Sequence, residues 1–169
     1  MRRRIAFVFI ALAIAGAAST PASRAQSPAE FAQTAAYVAS LQNPDGGFGP
    51  APGRPSSLGT TSGAVRILKY VGGSIPDVLN CIQYVRSCRA DGGFAPAPGG
   101  KADSLTTSIG LLAAGELKIA DKELVDAAVA FFHEHAKEDE QVRMAVAGLE
   151  AVAGKSADLA VIALPDESN

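Results

Sequence analysis

A duplicated segment constrains this chain more than any other feature. Residues 45–53 read DGGFGPAPG and residues 91–99 read DGGFAPAPG, which is an offset of 46 residues. The same offset relates Thr60-Thr61-Ser62 to Thr106-Thr107-Ser108. Because one spacing relates both the glycine-proline loop and the segment after it, the chain contains two copies of one structural unit.

Each copy predicts a helix, a loop and a second helix. Before each loop, apolar residues recur at helical spacing: Phe31, Ala35, Val38 and Leu41 in the first copy, and Val78, Cys81, Ile82 and Val85 in the second. After the loops we predict helices over 62–71 and 108–117. Their expected N-caps are Thr60 or Thr61 and Thr106 or Thr107. Gly72-Gly73 is expected to end the first of these helices, since glycine adopts the left-handed conformation easily.

A third unit follows without a loop. Asp121 is expected to cap a helix that runs to about His135, and residues 138–153 are expected to form its partner. Residues 156–164 predict one more short helix or an extended tail. No segment alternates in the manner of a strand. The predicted fold is therefore all-α, with about three helical hairpins.

The N-terminal residues predict a secretory signal peptide. Arg2, Arg3 and Arg4 precede an apolar run over residues 5–18, and Ser23-Arg24-Ala25 supplies small residues for cleavage. These 14 apolar residues fall short of the roughly 18–20 that span a bilayer, so a retained membrane span is the weaker alternative. We therefore expect a signal peptide at 1–25, a repeat domain at 26–164 and a tail at 165–169. The expected location is outside the cytoplasm, in the periplasm or the medium.

The charge balance excludes a strongly basic nucleic-acid binder. The formal net charge is −2, from 15 basic and 17 acidic residues. Removal of residues 1–25 takes away four arginines and leaves a net charge of −6. This value suits an exported protein that binds no nucleic acid. Because the apolar run is removed with the signal peptide, we expect no membrane span after cleavage.

The two cysteines are not expected to form an intramolecular disulfide. Cys81 and Cys88 lie seven residues apart on one predicted helix, which separates their Cα atoms by about 10 Å. A disulfide needs less than roughly 7 Å. They are interpreted as core side chains, with an exposed pair that cross-links chains as the alternative.

Other polar residues have mainly structural interpretations. His133 and His135 point about 200° apart on a helix and cannot hold one metal ion together. The acidic run 138–140 is interpreted as helix N-terminal charge, with weak calcium binding as the alternative. The repeat loops are given structural roles throughout: turn formation for Asp45 and Asp91, backbone conformation for Gly46, Gly47, Gly92 and Gly93, and packing between hairpins for Phe48 and Phe94.

Residues 42–48, QNPDGGF, resemble the Q-x-x-x-G-x-W repeat of terpene cyclases and protein prenyltransferase β subunits, with Phe in place of Trp. The second copy has Cys88 and Phe94 at the Gln and Trp positions. The nearest resemblance is to the β subunit of the Rab-type protein geranylgeranyltransferase, through residues 45–49, 61–68, 84–88 and 146–149. This resemblance implies an α/α toroid. Three hairpins make about half of such a ring, so we expect an incomplete ring and a homo-oligomer or companion chain.

The resemblance also implies a zinc site made by an Asp, a Cys two residues later and a distant His. The corresponding residues here are Asp103, Leu105 and Gln141, so two of the three ligands are replaced. The family's diphosphate-binding Arg corresponds to Ala97, although Lys101 lies nearby, and the cyclases' run of aspartates is missing.

We therefore expect no cofactor and a catalytically degenerate module that binds a partner or an apolar ligand. The alternative is a prenyltransferase or terpene-cyclase-like enzyme that works with a second chain and, as a prenyltransferase, with zinc.

Overall fold

The computed structural model describes residues 27–152. The predicted signal peptide at 1–25 lies outside these residues. So do the segment predicted at 156–164 and the tail at 165–169.

In the described part of the chain, six helices form three consecutive hairpins, which confirms the predicted all-α class and the number of hairpins. The helices are α1 (Pro28–Ala39), α2 (Leu58–Tyr70), α3 (Val78–Ser87), α4 (Ser104–Glu116), α5 (Lys122–His135) and α6 (Asp139–Glu150). The first two hairpins, α1–α2 and α3–α4, contain the repeat loops. The third, α5–α6, has only a short connection.

The N-caps of α2 and α4 differ from the prediction. Ser57 caps α2 by accepting a hydrogen bond from Thr60 N, and Asp103 caps α4 by accepting one from Thr106 N. Thr60 and Thr106 are therefore the third residues of their helices, and both helices begin four residues earlier than predicted. Asp121 caps α5 as predicted. The predicted end of α2 at Gly72, which has φ of +71°, is also confirmed.

A short β-hairpin interrupts the helices in the second repeat loop, and isolated β-bridges join Phe48 to Gln42 and Ser57 in the first. Strands β1 (Arg89–Ala90) and β2 (Gly93–Phe94) pair antiparallel, with Arg89 opposite Phe94. The prediction of no strands was wrong here because two residues are too few to show an alternating pattern.

The helices lie in two layers. The second helix of each hairpin, α2, α4 and α6, packs beside its neighbour, with α4 in the middle. The first helices, α1, α3 and α5, lie on the other side of this row. Two apolar clusters fill the space between the layers: a small one around Phe48 and a larger one around Phe94. Within residues 27–152 no helix has the length and apolarity needed to cross a membrane.

Both cysteines belong to these clusters. Cys81 and Cys88 are fully buried free thiols. Burial raises the pKa of each thiol to about 11. The interpretation of both residues as core side chains is therefore confirmed.

Candidate functional site

The two repeat loops attach to the core in the same way. Phe48 and Phe94 are fully buried, and the N–H of each donates a hydrogen bond to a buried threonine hydroxyl thirteen residues later. The acceptors are Thr61 Oγ1 at 2.9 Å and Thr107 Oγ1 at 3.0 Å. The equivalence at an offset of 46 residues therefore extends from the sequence to individual hydrogen bonds.

The turns before these phenylalanines require glycine. Gly46 and Gly92 have φ of +85° and +84°, a conformation that side chains other than glycine rarely adopt. Asp45 Oδ1 accepts hydrogen bonds from Gly47 N at 3.0 Å and from Ser56 Oγ at 2.8 Å, which is the behaviour expected of an Asp in a turn. Asp91 instead takes a positive φ of 50° itself, and its side chain is exposed.

The first loop also holds the start of the next hairpin. The Gln42 side chain donates to Asp77 O at 2.9 Å and accepts from Asp77 N at 2.8 Å. Asp77 in turn caps α3. Gln42 is the residue that matches the Gln of the family repeat, and here it joins one hairpin to the next.

A cleft of about 550 Å³ lies between the two loops. It is lined by Asn43, Asp45, Arg54, Ser56, Tyr84 and Pro98, among others. Asn43 Nδ2 donates to Ser56 Oγ and to Arg54 O, both at 2.9 Å, so the amide and hydroxyl groups of this cleft bond to one another. Ala97, at the family's diphosphate-binding position, and the exposed Arg54 both line it. Arg54 is therefore a basic side chain in the same cleft as the family's diphosphate-binding position, and the sequence motifs did not indicate it.

Tyr84 forms the buried wall of this cleft. Its hydroxyl group is buried. Among the described residues, no group forms a hydrogen bond of normal geometry with this hydroxyl. Burial, followed by the nearby Cys88 and Asp45, raises the pKa of Tyr84 well above its usual value. This side chain is therefore neutral at physiological pH and acts as a packing group.

The three positions matched to zinc ligands do not fit a zinc site. Asp103 accepts from Thr106 N through Oδ1 and from Thr106 Oγ1 through Oδ2, both at 2.7 Å, as the cap of α4. Gln141 Oε1 accepts from Lys137 N at 2.9 Å and Glu138 N at 3.3 Å before α6. Leu105 has no donor atom. The two polar side chains are therefore engaged in holding helix N-termini, and the donor set lacks the thiolate and imidazole that zinc prefers.

The remaining candidates are surface groups. His133 and His135 are both exposed at the end of α5, where His135 stacks on Phe131 with ring centroids 4.2 Å apart. The acidic run begins α6, and Glu140 pairs with Arg143 at 2.5 Å. Over residues 27–152, no cluster of three or more His, Cys, Asp or Glu side chains is arranged to hold a metal ion.

Within residues 27–152, one side of the row of helices α2, α4 and α6 is not covered by another helix, and this side is here called the free face. Helix α4 packs against α2 and α6 at its sides and against α5 and β2 behind. Its remaining side carries Leu105, Ile109, Leu112 and Glu116, which are exposed or half-buried. The corresponding residues of the two neighbouring helices lie at the same distances in sequence from their N-caps. They are Gly59, Gly63, Arg66 and Tyr70 on α2, and Glu140, Met144, Ala147 and Ala151 on α6. The centre of the free face is therefore apolar.

Polar groups lie towards the margins of the free face. Glu116 pairs with Lys69 across the α2–α4 contact, and Arg66 is the one basic residue among the positions that define the face. A single arginine provides little compensation for the charge of a diphosphate. The arrangement suits an uncharged apolar molecule better than an anionic one.

The comparison with known families gives one clear result. The sequence model of a family described as "Prenyltransferase alpha-alpha toroid domain" matches residues 3–77 and 74–155. Together these two matches cover most of the chain, and each contains one repeat loop. No curated protein gives a significant match to the chain.

Proposed function

Because the chain belongs to the prenyltransferase α/α-toroid family, we propose that it is an exported, non-catalytic member that binds an apolar ligand, or an apolar segment of a partner chain, through its free face. The family's architecture is retained in the hairpins, the repeat loops and the buried phenylalanines. What differs is the chemistry available at the positions where the family's enzymes hold zinc.

The residues at the three zinc positions carry this proposal. A prenyltransferase uses zinc to keep the acceptor thiol as a thiolate, which is the nucleophile. Here Asp103 caps α4, the Gln141 side chain accepts hydrogen bonds from the backbone just before α6, and Leu105 presents a side chain that cannot coordinate a metal. The residues of this chain therefore offer no means of activating a thiol at that place.

The free face supports binding without catalysis. Leu105 is 53% exposed, and Ile109 and Leu112 beside it are half-buried, so an apolar ligand would remove apolar surface from water on contact. Each fully covered Leu or Ile side chain contributes about 1.5–3 kcal/mol.

A fluorescence competition assay tests the proposal. A dansyl-labelled farnesol serves as the probe and unlabelled geranylgeraniol as the competitor. We expect saturable binding by the native chain and a Kd at least about 10-fold higher for Leu105→Glu, since a charge would be desolvated on binding. The matched control is Leu79→Glu on α3, where Leu79 is 71% exposed on the other layer.

The outcomes of this assay separate the alternatives clearly. Unchanged affinity in Leu79→Glu together with weaker binding in Leu105→Glu supports the free face as the site. Equal affinity in both variants, or no saturable binding by the native chain, contradicts it.

Export is a separate part of the proposal and rests on the N-terminal sequence. The arginines at positions 2–4, the apolar run and Ser23-Arg24-Ala25 are the observations that support it. Expression with its own N-terminus and sequencing of the product tests it. We expect a mature chain that begins at Gln26, and an uncleaved product in the cytoplasmic fraction contradicts export.

The enzyme alternative has its own test. The resemblance to the Rab-type geranylgeranyltransferase β subunit implies a prenyl transfer in which geranylgeranyl diphosphate is the donor and a cysteine peptide is the acceptor. We expect no transfer above a heat-treated control, with or without added zinc. Transfer that requires the native chain would replace the proposed binding function with a prenyltransferase activity.

A further inference from the structure

The two Asp-Gly pairs of the repeat differ in how firmly the structure holds them. In the first loop, Asp45 Oδ1 accepts hydrogen bonds from Gly47 N at 3.0 Å and from Ser56 Oγ at 2.8 Å. The N–H of Gly46 donates to Asn43 O at 2.9 Å. Gly46 is also buried, and a Cβ added to it would clash with the backbone of α3. The carboxylate of this pair and the N–H that follows it are therefore both engaged.

The second pair has none of these bonds. Strands β1 and β2 pair Ala90 with Gly93. Asp91 and Gly92 are therefore the two residues of the turn between the strands, and their φ values of +50° and +84° are those of a type I′ turn. Both are exposed, and no described residue forms a hydrogen bond with the Asp91 carboxylate or the Gly92 N–H. The groups that are bonded in the first loop are thus free in the second.

We propose that Asp91 is a site of spontaneous isomerisation to isoaspartate and that Asp45 is protected from this reaction. The nitrogen of Gly92 attacks Cγ of the Asp91 carboxyl group and closes a five-membered succinimide ring. The amide hydrogen and the carboxyl OH leave together as one water molecule. Water then adds back to the ring. Addition at Cγ restores aspartate, and addition at the backbone carbonyl carbon breaks the original peptide bond and leaves Gly92 joined to Cγ, which is isoaspartate.

At Asp91 this reaction needs only local opening of the hairpin. Gly92 has no side chain beside the attacking nitrogen, and each strand is two residues long, so little structure is lost when the turn opens. At Asp45 the same approach requires the loss of three hydrogen bonds and the withdrawal of Gly46 from α3. The difference between the copies therefore comes from the fold, since both share the sequence DGGF. It does not depend on the proposed function of the free face.

The product alters the turn that leads into the core. In isoaspartate the main chain runs through Cβ and Cγ, so the turn contains one more backbone atom. A two-residue turn fixes the register of its hairpin, and the added atom disturbs the pairing of Ala90 with Gly93. Phe94, the next residue, is fully buried in the larger apolar cluster. We therefore expect the isomerised chain to unfold at a lower denaturant concentration than the fresh chain.

Incubation of the folded full chain for several weeks at mildly acidic pH, followed by digestion with trypsin, tests the proposal. Trypsin separates the two sites, because Asp91 lies on the peptide 90–101 and Asp45 on the peptide that ends at Arg66. Isoaspartate leaves the peptide mass unchanged but shifts its retention, and electron-transfer fragmentation identifies the residue. We expect isoaspartate to form at least about 10-fold faster at Asp91 than at Asp45, because the hydrogen bonds around Asp45 must break first.

The same incubation in concentrated guanidinium chloride is the matched control. Unfolding removes the protection of Asp45, so the two rates should then agree to within about 3-fold. In Asp91→Glu the ring would have six members and closes far more slowly. This variant should therefore keep its urea midpoint during an incubation that lowers the midpoint of the native chain.

Three results would contradict the proposal. The first is isomerisation in the folded chain that is equally fast at both sites or faster at Asp45. The second is a folded chain that forms no isoaspartate at Asp91 although the denatured chain does, since the turn would then be protective. The third is an equal loss of stability in the native chain and in Asp91→Glu.

Discussion

The hydroxyl of Thr107 accepts a hydrogen bond from the backbone N–H of Phe94 across 3.0 Å, and both residues are buried. Thr61 and Phe48 repeat this relationship at 2.9 Å. Each repeat loop is thereby attached to the helix that follows it at the point where its phenylalanine enters the core. An unpaired amide at this depth would be costly, so the threonine is as much a part of the repeat as the glycines.

Replacement of Thr107 by valine should destabilise the fold by about 1–3 kcal/mol, because the N–H of Phe94 would lose its acceptor while the shape of the side chain is preserved. Urea unfolding measures the difference. Thr34→Val on α1 is the matched control, since the Thr34 hydroxyl only donates to Glu30 O within its own helix. Equal midpoints for the two variants would show that the buried hydrogen bond contributes nothing.

Two helical glycines should respond in opposite directions to alanine. A Cβ at Gly110 would stand 2.3 Å from Phe94 Cγ, whereas a Cβ at Gly63 meets nothing within 4 Å. We expect Gly110→Ala to cost about 1–3 kcal/mol through overpacking. Gly63→Ala should stabilise by about 0.5–1 kcal/mol through helix propensity. Thermal unfolding of both variants checks this, and stabilisation by Gly110→Ala would mean that Phe94 does not pack against α4 as described.

The thiols of Cys81 and Cys88 should be unreactive in the folded chain. Both are fully buried, and burial raises the pKa of each to about 11, so little thiolate exists at pH 8. We expect reaction with Ellman's reagent to be at least about 100-fold slower in buffer than in denaturant. Rapid modification of either cysteine in the native chain would contradict the packing around α3.

The raised pKa values of Cys81 and Cys88 make the free energy of unfolding depend on pH in the alkaline range. In the unfolded chain the thiols ionise near their usual pKa of roughly 8.5, whereas in the folded chain they hold their protons until about pH 11. The folded state therefore binds more protons between these values, and its stability should fall as pH rises through them. Urea midpoints at pH 8 and pH 10 measure this, and Cys88→Ala should show a smaller decrease. A midpoint that is constant or rises with pH would be inconsistent with buried neutral thiols.

The sequence was sufficient for the hairpins because the repeat placed Phe48 and Phe94 in equivalent positions and the apolar spacing of α5 was regular. The helix starts were harder to predict. Ser57 and Thr60 are both good cap residues, and only the path of the loop decides between them. The free face could not be found by periodicity either, since α4 is buried on nearly every side and its apolar residues show no single stripe.

The zinc positions illustrate the same limit. Leu105 and Gln141 were recognisable from the sequence as replacements, but the roles of Asp103 and Gln141 were not. Asp103 is the N-cap of α4, and Gln141 accepts a hydrogen bond from the N–H of Glu138, the N-cap of α6. Both roles depend on which residue begins the helix. Asp103 is the residue that matches one of the family's zinc ligands, and its role as the N-cap of α4 is enough to explain its presence.

Zinc binding by the native chain and by Asp103→Asn is the most direct test of the claim that the fold is retained without the family's metal site. The asparagine can keep the cap on α4 but is a poor zinc ligand. After dialysis against micromolar zinc and removal of free metal, the account predicts far less than one zinc per chain for both proteins. One zinc per native chain, lost in Asp103→Asn, would contradict it.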